Sequence, residues 1–249
     1  MKLGDRSNII TGCTILDNGK VLFSEYSAGQ CTSRVTLNDR NGDYIRTVRA
    51  LNIYYEPYYD ITSIDTNTIA ISTRTCIQIA NIDTHLIIQN IKNSGLCYGI
   101  THCDGKLYYC HEMEGIQRFD FKTKFSSLLV PTKYVGRFSY ISSDGNKLFY
   151  TFNTETVSCC DMNGKQIWKF QDTSLLHSPQ GVVVDNQGFV YVAGEKSGNI
   201  VVISPDGNSS NEVYQISSPG AMCYDKNENK ILVCHSLRKA SWLQIYLDL

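Results

Sequence analysis

Short apolar runs and polar turns alternate along the whole chain, and the turns keep a register. An aspartate begins a polar turn at Asp17, Asp65, Asp104, Asp144, Asp185 and Asp225. In the same order these lead into Val21-Leu22-Phe23, Ile69-Ala70-Ile71, Leu107-Tyr108-Tyr109, Leu148-Phe149-Tyr150, Val190-Tyr191-Val192 and Ile231-Leu232-Val233. A period of roughly 40 residues marks one supersecondary unit copied about an axis, because so small a unit cannot bury its own apolar face. Within each copy the apolar stretches are short, rich in Val, Ile, Tyr and Phe, and bounded by Gly, Asn, Asp and Ser, which predicts strands and no helix.

The fifth copy is the clearest: Gly181–Asp185, Phe189–Ala193, Asn199–Ile203 and Val213–Ile216 read as four strands joined by reversals. A second turn recurs between the third and fourth strands, at Asn41-Gly42, Asp83-Thr84, Asp120, Asp161-Met162-Asn163-Gly164 and Asp206-Gly207. The pattern predicts an all-β, six-bladed β-propeller of four-stranded antiparallel blades, since only a closed ring of sheets leaves short edges without polar capping repeats. The expected blades are 11–50, 58–92, 97–131, 136–171, 179–217, and 219–249 together with 1–10, in one domain spanning 1–249. The last copy lacks a fourth strand, so pairing of the N- and C-terminal segments is expected to close the ring. Lys2-Leu3-Gly4 makes a poor strand, and the chain is expected to be a piece of a longer one.

Composition adds limits. Lys+Arg 23 against Asp+Glu 24 gives a net charge of −1, so the molecule as a whole has no attraction for phosphate backbones or anionic membranes. No apolar stretch approaches the length of a membrane span and the N-terminus carries no apolar leader, so a cytoplasmic location is expected. The ten cysteines sit mostly inside apolar runs, as at Cys13, Cys110, Cys159, Cys223 and Cys234, where a reduced thiol acts as a small hydrophobe.

Pro179-Gln180-Gly181-Val182-Val183-Val184-Asp185, with Gly188, Val190-Tyr191-Val192-Ala193, Ser197-Gly198-Asn199 and Ser204-Pro205-Asp206-Gly207, resembles an NHL repeat. Tyr98-Gly99-Ile100-Thr101 with Asp104-Gly105-Lys106-Leu107-Tyr108-Tyr109, and Cys159-Cys160-Asp161-Met162-Asn163-Gly164-Lys165, resemble the C-terminal propellers of invertebrate tripartite-motif (TRIM) proteins. The resemblance covers essentially the whole chain. It implies a propeller that selects the partner of a ubiquitin ligase, whose RING, B-box and coiled coil are absent from this sequence.

Propeller connectivity puts the loops between blades, and those between second and third strands, on one face, opposite the aspartate turns. That rule collects Tyr26, Tyr54, Tyr55, Tyr58, Tyr59, Arg74, Tyr98, His111, Tyr134, Arg137, Phe138, Phe152 and Lys196 as partner-binding candidates. Aromatic and arginine side chains are what interface hot spots favour, and Tyr54-Tyr55-Glu56-Pro57-Tyr58-Tyr59 is the first choice for a contact loop. Some of these rings have a competing role as wedges between blades. Arg74 and Arg137 are placed either to grip a carboxylate or phosphate or to bridge Glu56, Glu112 and Asp60. Trp168 and Trp242 are expected to pack between blades.

The sequence shows no catalytic constellation. His102-Cys103 and Cys110-His111 cannot converge on zinc from alternating strand positions, and Asp225-Lys226-Asn227-Glu228-Asn229 lacks the glycine and closing Glu of a calcium loop. The inner strands carry Cys13, Ile15, Ile61, Ile100, Tyr140, Val182, Val184 and Met222, with no evident axial carboxylate cluster. The chain is therefore expected to be no enzyme and to need no cofactor. The leading expectation is recognition of a protein or peptide. The alternatives are RNA, stacked on the same tyrosines with Arg74, Arg137, Lys133 and Lys196 on phosphate, and, behind it, metal-dependent hydrolysis in the channel.

Overall fold

The structure is a computed structural model that describes residues 8–27, 29–48, 53–54, 56–133, 135–152, 155–235 and 239–245. It is all-β among these residues, with six antiparallel sheets. Blade 1 comprises β1 (Asn8–Ile15), β2 (Val21–Ser27), β3 (Thr32–Asn38) and β4 (Tyr44–Thr47), with a two-residue β5 (Ile53–Tyr54) on the end of β3. Blade 2 is β6 (Asp60–Ser63), β7 (Thr68–Ser72), β8 (Cys76–Asn81) and β9 (Leu86–Lys92). Blade 3 is β10 (Cys97–Cys103), β11 (Lys106–His111), β12 (Gly115–Asp120) and β13 (Phe125–Pro131). Blade 4 is β14 (Tyr140–Ser143), β15 (Lys147–Thr151), β16 (Val157–Asp161) and β17 (Gln166–Phe170). Blade 5 is β18 (Pro179–Val184), β19 (Val190–Gly194), β20 (Asn199–Ile203) and β21 (Ser210–Gln215). Blade 6 shows three strands, β22 (Pro219–Asp225), β23 (Lys230–His235) and β24 (Lys239–Gln244).

The inner strands meet in a closed circuit, β1 to β6, β10, β14, β18, β22 and back to β1. This is the six-bladed propeller that the repeat predicts. The segment expected to complete blade 6 is placed differently in part: Asn8, Ile9 and Ile10 lengthen β1, pairing with Ser27, Tyr26 and Glu25, and residues 1–7 lie outside the described residues.

The turn aspartates hold the reversals by accepting backbone N–H groups two to four residues on, which fixes each hairpin locally. Asp65 Oδ1 takes Asn67 N at 2.8 Å and Thr68 N at 2.7 Å, and Asp144, Asp185 and Asp225 do the same in their own blades. In blade 1 the acceptor is Asn18, on Lys20 N. Blade 3 instead turns through left-handed Asp104 and Gly105, φ 48° and 67°, the conformation of a tight primed hairpin.

The core lies between blades, as stacked sheet faces require. Leu16, Leu22 and Val35 of blade 1 pack with Ile61, Ile69 and Ile71 of blade 2, and equivalent layers follow round the ring. Trp168 fills the layer between blades 4 and 5, with its Nε1 donating to Pro205 O at 3.1 Å and its ring against Phe149. Trp242 is part-buried against the layer that includes blades 6 and 1. Inner strands approach closely where a side chain is missing: a Cβ on Gly99 would sit 2.5 Å from Tyr140 Cα, and one on Gly181 would overlap Gly220 O.

Candidate functional site

Two features of the ring can meet a ligand: the loop face, and a cavity on the axis that opens on the opposite face. The predicted residues distribute unevenly over the first. Tyr58 is fully buried, in the layer between blades 1 and 2, with its hydroxyl donating to Gln78 Oε1 at 3.5 Å. Tyr98 is 4% exposed and donates to Glu112 Oε1 at 3.2 Å, and His111 is 3% exposed with Nε2 3.4 Å from Ser94 Oγ. As placed, these three side chains are packing elements and not a contact surface, because the blade faces they belong to close over them. The side chain of Tyr54, and Tyr55 and Tyr134 altogether, lie outside the described residues. The backbone of Tyr54 pairs with Thr32.

The rest stay within reach of solvent. Tyr59 is half-buried, its ring edge-on to Tyr98 at 5.1 Å. Burial raises the Tyr59 hydroxyl above its ordinary pKa, opposed by the nearby charges of Arg137 and Arg74 and reinforced by Glu112 and Tyr26. These interactions gather Tyr26 of blade 1, Tyr59 and Arg74 of blade 2, Glu112 of blade 3 and Arg137 of blade 4 around one part of the loop face. Arg137 lies 5.0 Å from the centroid of Phe138, a cation–π contact. Phe138 is exposed with φ 68°. Phe152 is half-buried and stacks on Tyr150 at 4.7 Å. Lys196 is exposed in blade 5, the neighbour of blade 4 in the ring.

The acids proposed as partners of the two arginines are engaged elsewhere. Glu56 Oε1 accepts from Thr73 and Thr75 at 2.8 and 2.9 Å, Glu112 accepts from Tyr98, and Asp60 is buried. Among the described residues neither Arg74 nor Arg137 forms an ion pair. The loop before blade 2 is held in place: Ser33 Oγ donates to Glu56 O at 2.6 Å and accepts Tyr58 N at 3.0 Å.

The axial cavity measures about 300 Å³. All eight inner-strand residues named from the sequence line it, with hydroxyls of Thr14, Thr62, Thr101 and Ser142 added between them. Asp17, His102 and Asp225 to Asn227 at its wall place its mouth on the aspartate-turn face. Towards the loop face the axis is crossed by Tyr140, whose hydroxyl donates to Thr11 O at 2.8 Å from the far side of the ring. Asp60 sits there too, Oδ1 accepting Ile61 N at 2.9 Å and Oδ2 accepting Ile100 N at 3.0 Å. Its burial holds the carboxyl well above the usual carboxylate range in spite of those donors. From the sequence Asp60 counts among the loop acids that could bridge Arg74 and Arg137, because one aspartate at a strand start does not mark a place on the axis. The signal lay in Gly12 of the neighbouring strand, whose missing Cβ leaves room for it. Among the described residues no three His, Cys, Asp or Glu side chains converge as metal ligands, and no helix is long and apolar enough to cross a membrane.

No family model matches the chain, and no curated protein matches it either. Solved structures match in fold. A structural-genomics protein of unknown function from Bacteroides thetaiotaomicron superposes with a TM-score of 0.71 at 15% identity, over 96% of this chain and 70% of that one. Virginiamycin B lyase from Staphylococcus aureus superposes at 0.66 with 17% identity, over 100% of this chain and 88% of that one. A chain of a nidogen/laminin complex superposes at 0.67 with 16% identity, over 86% and 82%. At these identities the likeness is one of fold. It corrects one expectation: the absence of a catalytic motif was read as the absence of an enzyme, yet a lyase is among the structures that share the fold. The fold admits catalysis without establishing it here. The chain is thus similar in fold to structures that include a lyase and a chain of a nidogen/laminin complex.

Proposed function

We propose that the loop face over blades 1 to 4 binds a protein or peptide segment that presents a carboxylate beside an apolar side chain. The observation that supports this is the pair Arg74 and Arg137, exposed and without ion pairs among the described residues, beside the half-buried ring of Tyr59. A guanidinium fork grips a carboxylate bidentately, and a fixed aromatic ring offers contact area with little entropy to lose. Within the resemblance to tripartite-motif proteins, this is the partner-selecting role.

Selection of a displayed random peptide library on the protein tests the reading. Enriched sequences are expected to share an acidic residue next to an aliphatic or aromatic one. The R74A/R137A variant is expected to bind them at least about tenfold more weakly, since a charge-assisted contact contributes about 1.5–3 kcal/mol. Enriched peptides without acidic residues, or equal affinity for the variant, would refute it. Salt-sensitive retention of hairpin RNA, with no peptide enriched, would transfer the same residues to phosphate.

A further inference from the structure

Three thiols meet at the seam where the ring closes. Cys13 lies on β1, Cys223 on β22 and Cys234 on β23. The register pairs Cys223 with Leu232, and Cys234 follows Leu232 by two positions, so both blade 6 thiols belong to one face of that sheet. That face packs in the same layer as Cys13, and β1 runs against β22 and β23 where the ring closes. All ten cysteines of the chain are free in this structure. Cys13 and Cys223 also line the axial cavity, which opens on the aspartate-turn face, although each is less than a tenth exposed.

We propose that this trio is an oxidation site that forms a disulfide between Cys13 and blade 6, converting a packed seam into a covalent clasp. With a hydroperoxide as oxidant the step balances. The Cys13 thiolate attacks one oxygen of hydrogen peroxide, the O–O bond breaks, and the departing hydroxide takes the thiol proton as water, leaving a sulfenic acid on Cys13. The thiol of Cys223 or Cys234 then attacks that sulfur, the S–O bond breaks, and a second water leaves. Two thiols and one peroxide give one disulfide and two waters.

The order of attack follows from the surroundings. Burial opposes ionisation of all three thiols, but Cys13 receives S–H donors from both neighbours and falls below the ordinary thiol value, while Cys223 and Cys234 are pushed up. A bond from β1 to blade 6 encloses most of the chain in one loop. It therefore restricts the unfolded ensemble strongly.

The test uses the full chain without substitution. Protein exposed to hydrogen peroxide is alkylated, digested without reductant and mapped by mass spectrometry, with reduced protein as reference. The expected product joins the Cys13 peptide to the peptide carrying Cys223 or Cys234. The oxidised protein is expected to melt higher by on the order of 5–10 °C, and dithiothreitol is expected to reverse the shift. A Cys13 thiol still alkylated after peroxide, or one joined to a cysteine outside blade 6, overturns the proposal. C13S, confirmed as folded by circular dichroism, is expected to lose the reversible melting shift, and a shift retained in it overturns the proposal equally.

Discussion

Asp60 shows how much one side chain contributes when it stands at the axis. Its two oxygens receive the amides of Ile61 and Ile100, on the inner strands of blades 2 and 3, and the carboxyl is buried against Gly12 of blade 1. Because its folded pKa lies well above 3.8, the native state holds a proton that the unfolded chain has released. Stability contributed by this group is therefore greatest below the unfolded value and falls as pH rises towards the folded one. Urea titrations across pH are expected to show that decline, and D60N to flatten it while keeping an amide oxygen for one of the two backbone donors. A D60N protein with the wild-type slope would remove Asp60 as its source. Tyr58 is buried and Tyr59 half-buried, so the proposed binding role predicts different outcomes for these two neighbours. Y58A is expected to lose about 3–5 kcal/mol of stability, the cost of emptying a large aromatic site. Y59A is expected to cost less and to weaken peptide binding, and the reverse pattern would exchange their roles.

At the scale of the strand, spacing between inner strands is set by residues without side chains. Gly99 and Gly181 stand where the next blade's backbone passes, so G99A or G181A is expected to destabilise by about 1–3 kcal/mol through forced displacement. Thermal melts check this, and an unchanged midpoint would show that the ring yields at no cost. Strand positions were legible in the sequence because each blade repeats two local devices, apolar alternation and a polar side chain capping its own turn. The channel wall was legible too, as the set of inner strands, although alternation does not choose among their side chains, since consecutive residues such as Val182, Val183 and Val184 all line the cavity. Burial of individual loop residues was not. Tyr58 and Tyr59 are adjacent and identical, and only the strand edge formed by β5 with the Ser33 bonds to Glu56 and Tyr58 decides which ring enters the core. That arrangement depends on contacts more than twenty residues apart in sequence, which no local pattern encodes.

For the whole molecule, the ring presents two unlike faces. The loop face carries aromatic and arginine side chains over a floor closed by Tyr140 and Asp60, whereas the aspartate-turn face opens into a hydroxyl-lined cavity. A macromolecular segment suits the broad face and a small molecule the cavity, because affinity for a chain segment comes from a few anchored side chains spread over area. The two predict separate footprints. The direct measurement is hydrogen–deuterium exchange of the protein with and without a peptide enriched by selection. The account predicts slower exchange in residues 56–59, 74–76 and 136–138, with the turns at 64–67, 104–105 and 225–229 unchanged. Protection confined to those turns, with the loop face exchanging as in the free protein, would contradict it.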